Sequence, residues 1–117
     1  MKAEELRINN WVNLYDDYNA QVTGLTNTNK VWCVNNPTNE ECAWSTYNIK
    51  PTPLTEEWLL KFGFKFRKKT ECWHYYNFIL NDLFVMMDID IHVYIKHVHS
   101  LQNLYFALTG KELTLKQ

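Results

Sequence analysis

The chain has 117 residues, 46% hydrophobic, 21% charged and 15% aromatic, with a formal net charge of −1. That balance is globular rather than disordered, and the length fits one domain that buries roughly 65% of its unfolded surface without metal or disulfide staples. The near-neutral total lacks the basic excess by which a general nucleic-acid binder neutralises phosphates, and it is not acidic enough to mimic nucleic acid.

Cys33, Cys42 and Cys72 make an odd count without a C-x-x-C, which argues against a disulfide scaffold and a zinc ribbon. The first ten residues, MKAEELRINN, contain no apolar h-region, and no run approaches the roughly 18 apolar residues of a membrane span. The expectation is an intracellular protein in a reducing compartment.

In chain order, Leu6 and Ile8 are expected as core anchors. Trp11–Tyr15 reads as a strand with Val12 and Leu14 on one face. Ala20–Thr26 follows with a bulge at Gly24, then Lys30–Val34 and a weaker strand at Cys42–Tyr47. Asx-rich turns separate the first three, so the N-terminal part forms a small antiparallel sheet or half-barrel.

The composition changes at Pro51-Thr52-Pro53, an extended segment because proline restricts itself and its predecessor. A short helix follows. Thr55 is its N-cap, Glu56 and Glu57 suit the positive end of its dipole, Leu54 and Leu59 form a staple, and Gly63 ends it. Trp58, Leu59 and Phe62 make its apolar edge.

Phe64–Arg67 and Cys72–Ile79 read as strands around a Lys68-Lys69-Thr70 turn, and Asn81-Asp82 marks the next turn. From Leu83 to Ile95 every odd position is aliphatic except Met87. We expect a hairpin with a three-residue loop at Asp88–Asp90, which keeps those side chains on one face. The C-terminal helix, Ile95–Gly110, carries Val98, Leu101, Leu104, Tyr105 and Leu108 on one stripe and is expected to cover that face. Its other side holds His99, Gln102, Asn103 and Phe106. Leu113 and Leu115 alternate in the tail as in an edge strand.

The expected architecture is therefore α+β: N-terminal antiparallel strands, a short central helix, and an antiparallel β-meander packed against a C-terminal helix. It forms a single domain over 1–117, with a β-rich part (1–50) and an α-β-meander-α part (51–117).

Chemistry finds little support. His92, His97 and His99 are close in sequence, but they fall on different elements and no H-E-x-x-H accompanies them. Asp88 and Asp90, with Asp82 near, read as a solvated hairpin tip, since no lysine-bearing motif joins them as in a nuclease. Cys72 and His74 share a strand face without a third orienting group. The glycines are isolated. No catalytic residue, metal site or cofactor is expected.

Surfaces are more informative. Phe106, flanked by Gln102 and His99, is an aromatic on a polar helix face and a candidate partner anchor, as are Trp73 and Tyr75. Lys65, Arg67, Lys68 and Lys69, beside Trp73, Tyr75 and Tyr76, have the charge and stacking chemistry of a single-strand binder. The plainer reading of that stretch is a charged edge that blocks strand-to-strand aggregation.

Three segments, LRINNWV (6–12), PTPLTEEWLLKFGF (51–64) and IKHVHSLQNLYFALTGKEL (95–113), resemble a family of small bacteriophage and prophage proteins. The family usually has a glycine where this chain reads Asn9-Asn10. It has no assigned activity, so the resemblance implies context alone: an accessory protein in the bacterial host cytoplasm. The functional expectation is protein–protein binding to a host or phage protein. Inhibition of a host defence complex, anti-CRISPR-like, is one concrete form. Nucleic-acid binding is the alternative. No membrane association is expected, and the state is a monomer or small homo-oligomer.

Overall fold

The computed structural model describes residues 5–14, 18–26, 30–35, 40–76, 78–87 and 92–116. Among them, two antiparallel five-stranded sheets and two α-helices make an α+β fold. The chain divides into two compact units, Met1–Thr52 and Pro53–Gln117, within two residues of the composition change.

In the first unit, β1 (Trp11–Leu14), β2 (Tyr18–Leu25), β3 (Lys30–Asn35), β4 (Glu41–Ser45) and β5 (Ile49–Pro51) lie in the order β4-β3-β2-β1-β5. Alternation sends Val12, Leu14, Ala20, Val22, Val31, Cys33 and Ile49 into one core with Leu6. Ile8, expected there, is half exposed instead. The bulge falls between Val22 and Gly24, where Gly24 faces Trp32. Of strand β5 only Pro51 was expected, as the start of an extended segment. The strand pairs with β1 at the sheet edge, where a missing backbone N–H is tolerated at Pro51. After β4 the chain leaves the ladder in a 3₁₀ turn, Thr46–Asn48, where Ser45 Oγ accepts from the Tyr47 N–H at 3.3 Å.

The Asn9-Asn10 segment needs no glycine. Asn9 adopts φ +80°, a conformation that Asn tolerates better than most residues. Its N–H donates to the Val22 carbonyl at 2.7 Å, and the buried Asn10 Oδ1 accepts from the Arg7 N–H at 2.7 Å.

The second unit opens with α1 (Glu56–Phe62). Thr55 Oγ1 accepts from the Trp58 N–H at 3.4 Å, and Gly63 ends the helix at φ +99°. Trp58, Leu59 and Phe62 are buried. A meander follows: β6 (Lys65–Arg67), β7 (Cys72–Tyr75), β8 (Phe78–Asn81), β9 (Val85–Met87) and β10 (His92–Tyr94), each pairing with the next. Phe66, Trp73, Leu80 and Met86 fall in one cross-strand row. Trp73, Leu80 and Met86 are buried in it.

The single aliphatic stripe expected over 83–95 does not form. Leu83 lies in a turn and is exposed; Asn81 Oδ1 accepts from the N–H groups of Leu83 and Val85, and Phe84 takes φ +61°. Strands β9 and β10 then pair Val93 with Met86 and Tyr94 with Val85, so odd positions on one strand share a face with even positions on the other. The Met87–His92 pairing encloses four residues rather than three. The conformation of that loop, with Asp88 and Asp90, lies outside the described residues.

Helix α2 (Val98–Thr109) buries Val98, His99, Leu101, Gln102 and Tyr105 and ends at Gly110, φ +74°. Its packing against the sheet runs through Tyr105, whose ring centroid lies 5.6 Å from that of Tyr75 and 5.8 Å from that of Phe78. The tail is not a strand. Leu113 is buried, and the Lys116 N–H donates to the Lys61 carbonyl at 2.6 Å.

Candidate binding surface

At the end of β7, Tyr75 and Tyr76 form the most aromatic corner of the second unit. The Tyr75 ring stacks on Phe64 at 5.1 Å and meets Tyr76 edge-on at 4.8 Å. Gly63 leaves room beside it: a Cβ there would lie 3.4 Å from Tyr75 Cε1. Burial first, then the Tyr105 and Tyr76 phenols, pushes the Tyr75 phenol above its ordinary range, so it stays a neutral hydrogen-bonding group at physiological pH. Tyr76 sits in the turn at φ +52°, which is costly for an aromatic residue, and it is 84% exposed.

Two recesses open on either side of this pair. The larger, about 680 Å³, runs between the β7–β8 turn and the C-terminal end of α2. Tyr75, Tyr76, Phe78, Tyr105 and Leu108 supply its apolar lining, with Thr109, Lys111 and Glu112 as polar margin. The smaller, about 300 Å³, is lined by Gly63, Lys65, Arg67 and His74 with the same two tyrosines. The register explains its charge. Lys65 stands opposite His74 and Arg67 opposite Cys72, all on the sheet face away from Trp73. Among the described residues no carboxylate forms an ion pair with Lys65 or Arg67.

These placements sort the residues singled out from sequence. Tyr75 lines both recesses, and Phe106 is 39% exposed on α2. Lys65 and Arg67 line the smaller recess, whereas Lys68 and Lys69 lie exposed in the β6–β7 turn and do not line it. Trp73, His99 and Gln102 are not surface contacts: all three are buried. Trp73 faces the inner row of the sheet. His99 and Gln102 lie on the side of α2 that also buries Val98, Leu101 and Tyr105, so the buried arc is turned from the expected stripe and leaves Leu108 exposed.

Cys72 and His74 each engage Thr70. The thiol donates to the Thr70 carbonyl at 3.2 Å, and Nε2 of His74 lies 3.2 Å from the Thr70 hydroxyl. His97 and His99 stack with ring centroids 5.6 Å apart. Among the described residues there is no group of three or more His, Cys, Asp or Glu that would hold a metal ion. Tyr105 and Leu108 were missed as site residues. Helical periodicity marks them as core, and nothing local says that a tyrosine corner about 30 residues upstream meets them.

The chain matches no protein family, no curated protein and no solved structure with which it was compared. Among the described residues no helix is long and apolar enough to cross a membrane.

Proposed function

We propose that this protein is a non-catalytic binding module whose partner is another protein, held by an apolar or aromatic side chain seated in the tyrosine groove. The observation that carries this reading is Tyr76, almost fully exposed at positive φ on the rim of a groove walled by Tyr75, Phe78, Tyr105 and Leu108. Tyrosine combines large contact area with few rotatable bonds and a polar tip, the chemistry of interface hot spots. Large exposed aromatics around a concave surface are the form such anchors' pockets take. A host defence complex is one concrete form of that partner, while the sequence resemblance bears only on the setting, a phage-type accessory protein in a bacterial cell. Capture from bacterial lysate with wild type and Leu108→Ser tests it. We expect one stoichiometric partner, lost on the serine substitution; capture that is unaffected counts against the groove.

A second reading has its own support. Lys65 and Arg67 beside Tyr76 place cations next to a stacking face, which suits a single nucleic-acid strand.

A further inference from the structure

We infer that Cys33 and Cys42 are a thiol–disulfide pair: oxidation by a small-molecule disulfide joins their sulfurs and staples β4 to β3. The β3–β4 register sets the two residues directly opposite one another. Opposed residues in an antiparallel pair have Cα atoms about 4.5–5.5 Å apart, inside the roughly 4.4–6.8 Å that a disulfide spans, and their side chains leave the same face. Both thiols are free. Cys72 faces Arg67 and Asn81 across its own ladder and has no cysteine opposite.

The two thiols have different access, which orders the reaction. Cys42 is exposed on the edge strand, whereas Cys33 is sealed in the core. The Cys42 thiolate attacks oxidised glutathione, forming a mixed disulfide and releasing one glutathione thiolate. Cys33 then loses its proton to solvent, and its sulfur attacks Cys42 Sγ. The Cys33–Cys42 bond forms as the second glutathione leaves. In sum, two protein thiols lose two electrons and two protons, and one glutathione disulfide becomes two thiols. Burial pushes the Cys33 thiol up to about 11, so little of it is thiolate near neutral pH and closure speeds up with alkalinity.

The full-length protein is equilibrated in oxidised and reduced glutathione, quenched by alkylation, and read by intact mass and non-reducing peptide mapping. The expected product lacks two hydrogens, carries a Cys33–Cys42 link and keeps Cys72 alkylated. Cys33→Ser stops at a glutathione adduct on Cys42. Because the cysteines are close in sequence, the same equilibrium is measured in urea; the native sheet must favour the link at least tenfold more than the unfolded chain. A link to Cys72, a wild type that stops at the adduct at alkaline pH, or equal native and unfolded equilibria overturns the proposal.

Discussion

Cys33 illustrates how much a single buried group can dictate. It is fully enclosed by the first unit's core, and that enclosure raises its thiol from 9.0 to about 11. The proton is therefore held more tightly in the folded chain than in the unfolded one. A raised folded-state value contributes stability that is fully present below pH 9 and is lost as pH rises through 11. Two pKa units correspond to about 2–3 kcal/mol. Urea unfolding at pH 8, 9 and 10.5 should show wild type losing more stability than Cys33→Ala over that window. Parallel pH profiles would show that the thiol is not held as its burial requires. Asn9 marks the limit of residue-level reading. Its left-handed φ was not legible, because the turn is set by the Val22 carbonyl, thirteen residues away.

At the scale of elements, what the sequence revealed depends on how local the governing forces are. Helix α1 was legible from Thr55 to Gly63 because caps and dipole act within one or two turns. Thr55→Ala leaves the Trp58 N–H without its side-chain acceptor. At 3.4 Å that bond is long, so the expected loss is about 0.5–1 kcal/mol, read as a lower urea midpoint with unchanged m-value. An unaltered midpoint would mean that the cap contributes nothing. In α2 the boundary at Gly110 was equally legible, but the buried arc was not. Polarity alone placed His99 and Gln102 outside, whereas tertiary packing encloses both. The strict alternation from Leu83 failed for a related reason. Strand character is local, but the turn at Asn81–Phe84 and the β9–β10 register reset which side each residue faces.

For the molecule as a whole, one compact unit gives way to the next between Thr52 and Pro53, inside the Pro51–Pro53 stretch that proline holds extended. The site was only half legible: Tyr75, Lys65 and Arg67 stand out in sequence, while the groove exists only once α2 has folded back onto the β7–β8 turn. The two recesses share Tyr75 and Tyr76, yet their physics differ, and salt separates them. A strand whose phosphates meet Lys65 and Arg67 displaces about two counterions, so its affinity should fall roughly 25-fold for each tenfold rise in salt. An apolar side chain in the groove displaces none and should bind almost independently of salt. Lys65→Gln with Arg67→Gln should flatten the first dependence and leave protein capture intact, whereas Leu108→Ser should do the reverse. Tyr76→Ala should weaken both, since it walls both recesses. Fluorescence anisotropy with a short single-stranded oligonucleotide, set beside partner capture at two salt concentrations, reads all three variants. Strand binding that the double substitution leaves unchanged would exclude the cationic recess; capture that Tyr76→Ala leaves unchanged would exclude the groove. With a net charge of −1 there is no general attraction to nucleic acid to blur the contrast, so the part of the salt dependence that the double substitution removes belongs to that local pair of cations.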